Sequence, residues 1–426
     1  MKVGVNYVPR SGWFYSWLDF DSDEAARDFD AIAQLGLDHV RVFPLWPVLQ
    51  PNASHIRAQA VEDVRTLAQL ATQRGLTVSV DVLQGHMSSF DFLPAWTQSW
   101  HQSNIFTDPT VVQAQAALVR ALAEALRDVD GTTGLSLGNE IVQFAAARHP
   151  VRHKLTTQQA GAWLTQLLST ADEYWPAGQH SFSFDDDLVF EPTQPFTPRH
   201  ALECGDITTV HSWVFGKIGQ HYGKDHPRLV LLARYLLELM RAWQTELGQV
   251  KPLWLQEIGA PLNYLSAKNA PAFVSRTLSH VAAVPGVEAV TWWCSHDVHR
   301  SLTGFPAVEY DLGLFDSEGN VKPVGQALSQ WIGNQAQQPE IPNQAWQPET
   351  PGQAPQPEAA GQTPQPEAPG QAPQPQEPGA DPIAIPSVDH EDARVLVRPS
   401  GQIFEQWAQA IERGAPRVLQ VTKNSI

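Results

Sequence analysis

Over roughly the first 335 residues, short apolar runs alternate with longer stretches of helical periodicity. The runs Val3–Tyr7, His39–Phe43, Thr77–Val82, Gly134–Leu137, Ser181–Phe184, Asp206–Val210, Pro252–Leu255 and Ala289–Trp293 are expected to be strands. Between them lie helical stretches such as DEAARDFDAIAQLG (Asp23–Gly36) and QAVEDVRTLAQLATQRG (Gln59–Gly75). Both end on a glycine, which adopts the left-handed helix C-cap without a Cβ clash. Eight strands alternating with helices over this length predict an α/β fold, a (β/α)8 TIM barrel, occupying residues 1–335.

The pattern breaks after that point. QPEIPNQAW, QPETPGQAP, QPEAAGQTP, QPEAPGQAP and QPQEPGADP are five copies of a nine-residue unit running from Gln338 to Pro382. Such a sequence favours polyproline II and cannot bury a core, so 336–382 is expected to be a disordered or polyproline linker. The last stretch, 383–426, holds one amphipathic helical pattern, GQIFEQWAQAIERG, with Ile403, Phe404, Trp407 and Ile411 on one side. It is too small to fold alone and is expected to dock on the barrel or to meet a partner.

One strand carries a puzzle. GLSLGNEIVQF (Gly134–Phe144) is an apolar run that ends on an amide and a carboxylate, Asn139 and Glu140. In a barrel the C-terminal strand ends meet on one face, where an active site is assembled, so polar residues belong there. The other strand ends contribute Arg41 from HVRVFPLW, His86 from DVLQGH, His211 and Trp213 from TTVHSW, Glu257 from PLWLQEIGAP, and Trp292, Trp293, His296 and Asp297 from AVTWWCSHD. Two carboxylates among such neighbours suit glycoside hydrolysis, where one carboxyl protonates the leaving oxygen and the other attacks the anomeric carbon or activates water. Taken alone, Glu140 also reads as a solvated acid opening the next helix. Its pairing with Glu257, on the fourth and seventh of eight strands, favours the catalytic reading. HDVH (His296–His299) lacks a second ligand cluster, so hydroxyl binding by His296 or Asp297 is expected rather than a metal, and no cofactor is implied.

Net charge narrows the partners. At −17 with a pI near 5.2, the chain lacks the basic surface that nucleic acid or an anionic membrane requires. No apolar run approaches the ~20 residues of a membrane span. Only Cys204 and Cys294 are present, which excludes a disulfide framework. A cytoplasmic enzyme acting on a small β-linked oligosaccharide is expected, and self-association into a homo-oligomer stays open.

GNE after the fourth strand and QEIG after the seventh resemble glycoside hydrolase family 5, retaining β-glycosidases of the (β/α)8 clan. The similarity spans most of residues 1–335, including Arg41, His86, His211 and the pair Trp292 and Trp293. The resemblance implies Glu140 as general acid/base, Glu257 as nucleophile, Asn139 on the sugar 2-hydroxyl, and Arg41 keeping the nucleophile ionised. GVNYVPRSGWF, DHVRVFPLWPVLQPN, DVLQGHMSSFDFLPAW and VTWWCSHDV are similar, more narrowly, to the intracellular exo-β-mannosidase branch. The family usually places a Tyr two residues after the strand-six His; here that residue is Trp213, and either its indole or a nearby phenol such as Tyr222 takes over, or the contact is missing.

A retaining exo-β-mannosidase is the leading expectation. Its rivals are an endo-mannanase or cellulase on the same scaffold and a non-catalytic carbohydrate-binding protein. Retention predicts carboxyl groups about 5 Å apart, a raised pKa on Glu140 and an ionised Glu257. Removing everything after about residue 335 is expected to leave hydrolysis largely intact. Long loops after the third, sixth and eighth strands are expected to close the cleft into a pocket.

Overall fold

The computed structural model describes residues 1–100, 103–337 and 381–422. Seven parallel strands form one curled sheet in the order Thr132–Ser136, Thr77–Asp81, His39–Val42, Lys2–Asn6, Val287–Trp292, Leu253–Ile258 and Thr208–Ser212. β-Branched residues meet in register across it, Val3 on Val290, Val5 on Val40 and Val40 on Val78. Such pairs fill the pleated surface of a sheet buried on both faces.

The expected strand Ser181–Phe184 is not regular. It makes one parallel bridge, Ser181 to Ser136, with Ser181 N–H donating to the Leu135 carbonyl and Leu137 N–H to that of Ser181. On its other side the Thr209 hydroxyl donates to the Phe182 carbonyl at 2.8 Å, so a side chain replaces the ladder. The next strand starts two residues later than expected, at Thr208, because Asp206 uses its carboxylate to accept the His180 N–H. These contacts close the (β/α)8 barrel where the seven-stranded sheet is open.

Sequence punctuation places the helices. The Asp21 carboxylate caps Ser22–Gln34, Asp108 caps Pro109–Leu126 with proline in the first turn, and Thr156 with Gln159 forms a capping box on Thr157–Tyr174. Two loops shape the face at the strand ends. The hairpin His86–Met87 with Phe90–Asp91 turns through Ser88 and Ser89, both at positive φ (50° and 69°). Trp13, from the loop after the first strand, packs its ring against Phe90, Phe92 and Phe305 with centroids 5.8, 5.7 and 4.8 Å away. Together these rings join three loops at one end of the face.

The C-terminal segment docks on the barrel. Ile383–Ile385 and Leu419–Val421 pair as a small parallel sheet beside the helix Leu232–Leu247. The expected amphipathic helix spans Gln402–Glu412 and buries Phe404 and Trp407 completely. The Trp407 indole donates to Glu238, the Trp243 indole to the Pro386 carbonyl, and Tyr235 to the Val397 carbonyl. The nine-residue repeat, with its expected linker conformation, lies outside the described residues apart from Asp381 and Pro382. No helix among the described residues is long and apolar enough to cross a membrane.

Candidate active site

Arg41 is the hub of the strand ends. Its side chain is fully buried, and its Nε and Nη2 donate to Asp81 at 3.0 and 2.7 Å. Nη1 reaches Asn6 Oδ1 at 3.2 Å and Glu257 Oε1 at 3.1 Å, while Nη2 also donates to Asn139 Oδ1 at 2.8 Å. A buried guanidinium persists only with most of its five N–H groups matched, and here carboxylates and amides from four strand ends match them. Because Arg41 occupies Asn139 Oδ1, the side-chain NH2 of Asn139 is the group left to meet a ligand.

The turn after the fourth barrel strand is strained in a way that aims Glu140. Gly138 has φ +132°, and a Cβ there would lie 2.5 Å from the Leu83 carbonyl oxygen, so only glycine fits. Glu140 itself is left-handed, at φ 42° and ψ 31°. A non-glycine residue in that region costs on the order of 1–3 kcal/mol and persists where the surroundings impose it. Its N–H is held by Ser183 Oγ at 3.2 Å.

Opposite, Glu257 is 3% exposed and accepts from two directions: Arg41, and the Trp213 indole N–H at 3.2 Å. The indole therefore occupies the place at which the sequence left a phenol in question. Tyr222 does not contribute there; its hydroxyl donates to Glu405 of the C-terminal helix and accepts from Arg228. His211 sits between the acids, with Nδ1 2.9 Å from Glu140 Oε1 and 3.3 Å from Glu257 Oε2. Oxygen atoms of the two carboxylates lie within 4.8 Å of each other.

The proton balance differs from the sequence expectation. Burial raises the pKa of Glu140, but the hydrogen bond and charge of His211 outweigh it and hold the carboxyl below its usual value. Burial pushes Glu257 up to about 7, the charge of Glu140 adding to it while His211 and Arg41 oppose. Burial lowers the His211 pKa, but the two acids outweigh it and leave it raised. The expected order, Glu140 raised and Glu257 low, is thus reversed. The physical reason is the cation shared between the acids. His211 Nε2 lies 3.2 Å from Gln256 Oε1 and 3.1 Å from the Ser183 hydroxyl. A proton lies in the 2.9 Å Glu140–His211 contact, since two lone pairs would repel at that distance, and on Nδ1 or on the carboxyl it stands at Glu140.

A second histidine is set by a relay. The Val151 N–H donates to His149 Nδ1 at 3.1 Å, so His149 carries its hydrogen on Nε2, 3.1 Å from Asp91 Oδ2. The other Asp91 oxygen accepts from His86 Nδ1 at 3.0 Å, which leaves His86 Nε2 as an acceptor. Burial raises the Asp91 pKa, but both histidines outweigh it and keep the carboxylate ionised. His86, Asp91 and His149 approach one another closely enough to ligate a metal. The hydrogen on His149 Nε2 makes them a hydrogen-bond relay instead.

These groups line a cavity of about 540 Å³. Asn139, Glu140, Trp213, Glu257, Trp293 and His86 face it. Three other expected residues lie elsewhere. Trp292 is buried in the barrel core. His296 is buried against the Val8 carbonyl and Ser295, and Asp297 accepts from the Gly313 N–H and Lys322. His296 and Asp297 shape the loop after the last strand, and none of the three lines the cavity. Ser88 Oγ donates to Glu309 at 2.8 Å, joining two residues that line the cavity.

Sequence reasoning passed over several lining residues. Asp185, Asp186 and Asp187 form one wall, with Arg148 reaching Asp185 and Asp187 at 3.1 and 2.7 Å. Their signal was the run FDDD after an expected strand, the same strand-end rule that drew attention to Glu140. Asn6 and Asp81, polar ends of apolar strands, carried it too.

No protein-family model matches the sequence, and neither does any curated protein. A GH5_18 enzyme from Streptomyces cattleya, solved as a glutamate-to-alanine variant with Manβ1-4GlcNAc, is 39% identical with a TM-score of 0.86, over 99% of this chain and 94% of that one. A GH5_18 enzyme from Bifidobacterium longum subsp. longum, also solved with Manβ1-4GlcNAc, is 36% identical with a TM-score of 0.85, over 99% and 91%. The exo-β-1,4-mannosidase Op5Man5 from Opitutaceae bacterium strain TAV5 shares the fold at 24% identity and a TM-score of 0.66, over 79% of this chain and 60% of that one.

Proposed function

The chain belongs to glycoside hydrolase family 5, alongside the GH5_18 enzymes, and on that premise we propose that it is an exo-acting β-mannosidase that cleaves with retention. The observation that carries the mechanism is the pair Glu140 and Glu257, with carboxylate oxygens within 4.8 Å, too close to leave room for an attacking water between them. Glu257 attacks the anomeric carbon. Its proton-bearing counterpart is the Glu140–His211 pair, which delivers the hydrogen to the departing oxygen and then takes one from the water that releases the sugar. Arg41 and the Trp213 indole hold Glu257 as the anion while it attacks. Asn139 and His86 offer one donor and one acceptor to the hydroxyls of the sugar being cleaved.

Two GH5_18 relatives were solved with Manβ1-4GlcNAc, which supports that disaccharide as the substrate type. The Ser88–Glu309 bond between two loops that line the cavity supports removal of a terminal sugar over mid-chain cleavage. The two free cysteines support a cytoplasmic setting, on short imported mannosides. The test is hydrolysis of Manβ1-4GlcNAc beside a panel of aryl β-glycosides, with and without chelator. Preference for β-mannosides unaffected by chelator is expected; preference for β-glucosides, or release of longer fragments from mannan, overturns the reading.

A further inference from the structure

The cavity wall on the Glu140 side is built from two loops. One carries Asp185–Asp187 and continues as the helix Asp187–Phe190 to Phe196; the other carries Phe215, Gly216, Lys217 and Gln220. Lys217 and Asp187, 3.4 Å apart, join them at the cavity surface. Asp185 Oδ1 and Asp186 Oδ2 are buried without a protein partner, acceptors that a ligand's hydroxyl or amide N–H can satisfy.

Neither loop is anchored by barrel ladders, and both are gripped from behind by the C-terminal segment. Arg394, nine-tenths buried, donates to the carbonyls of Glu191 and Gln194 at 2.7 Å each and to that of Phe196 at 3.0 Å. Arg398 Nε donates to the Phe190 carbonyl at 2.9 Å. On the second loop, the Tyr222 hydroxyl donates to Glu405 at 3.2 Å, and Arg228 ties the same region to Glu405 and Glu412. A buried guanidinium spent wholly on loop carbonyls is unusual for a segment whose only task is to cover a helix. The carbonyls it holds, from Glu191 to Phe196, belong to the chain that runs on directly from the acids on the wall.

We infer that the C-terminal segment is a clamp for the leaving-group half of the site: Arg394, Arg398 and Glu405 are positioning residues that fix the Asp185–Asp187 and Phe215–Gln220 walls and so set how the aglycone sugar is held. This rests on Glu140 being the acid, which puts the leaving group on its side. The sequence alone pointed the other way, to a tail dispensable for hydrolysis.

The full-length Arg394→Ala variant, with Arg394→Lys and Glu405→Gln as milder changes, is compared with the parent on Manβ1-4GlcNAc and on 4-nitrophenyl β-mannoside, whose flat aglycone offers no hydroxyls to the wall. A KM raised about tenfold on the disaccharide is expected, the scale of one or two misplaced hydrogen bonds, with little change in kcat or in the aryl reaction. Arg394→Lys should fall between the two. Hydrogen exchange should quicken in 187–196 and not in the strand Thr132–Ser136. Equal losses on both substrates, or no change on either with unchanged exchange, overturn the clamp. A parent protein inactive on the disaccharide overturns the proposed function instead, and exchange then decides the clamp by itself.

Discussion

In the proposed mechanism Glu257 works as an anion, yet burial and its acidic neighbour push its pKa up to about 7. A nucleophile with a raised pKa is active above that value and loses activity as pH falls through it. The acidic limb of the kcat/KM profile is therefore expected near pH 7, not near the ~4.3 of a free glutamate. Replacing Trp213 with Phe removes an N–H donor to the carboxylate and should move that limb to still higher pH; a limb unchanged or lowered would contradict the contact. Glu140→Ala should cost about 10²–10⁴-fold, the span of general acid–base catalysis. Azide should restore turnover, giving the β-azide from Glu140→Ala and the α-azide from Glu257→Ala; the same anomer from both would break the assignment of roles. Asp91→Asn should raise KM through His86, whose acceptor nitrogen is fixed only by the relay, and Asp91→Glu should recover part of the loss. Both carboxylates and Arg41 were legible because each interrupts an apolar strand at its end. Asp91 and His149 were not, since their partnership crosses loops and no spacing in the chain announces it. The shared proton of His211 was equally invisible, because it depends on a 2.9 Å contact between residues 71 positions apart.

Among the elements, the strand-and-helix alternation predicted the barrel well where strands are apolar and helices are capped. It failed at Ser181–Phe184, where close approach of Gln179 to Gly134 and side-chain bonding replace a ladder. A Cβ on Gly134 would lie 1.9 Å from the Gln179 carbonyl oxygen, so Gly134→Ala should lower stability well beyond the ~1 kcal/mol usual for single changes. Thermal unfolding checks this, and an unchanged Tm would show that the segment can move aside. The loops were expected to close a pocket; Ser88 and Glu309 join two of them at the cavity, and removal of one terminal sugar there is the proposal to test. Trp13 and Trp46, after the first and second strands, are buried among other rings and serve as packing. A time course on mannotriose should release mannose one unit at a time; early mannobiose would mean an open cleft.

For the whole molecule, the composition change after about residue 335 was expected to mark the end of the barrel, but it did not tell what the last residues do. Phe404 and Trp407 on one helical face showed that something must cover them; that the cover is the Leu232–Leu247 helix depends on tertiary packing that no local pattern encodes. Both rings are fully buried, so Trp407→Ala should destabilise by about 3–5 kcal/mol, read from denaturant unfolding. The barrel and the paired acids carry the proposal that this chain removes terminal mannose with retention through Glu140 and Glu257. The most direct measurement is the anomeric proton spectrum of mannose in the first moments of Manβ1-4GlcNAc hydrolysis, before mutarotation. The account predicts β-mannose first, with the α-anomer rising later; α-mannose as the first product would mean inversion and would contradict it.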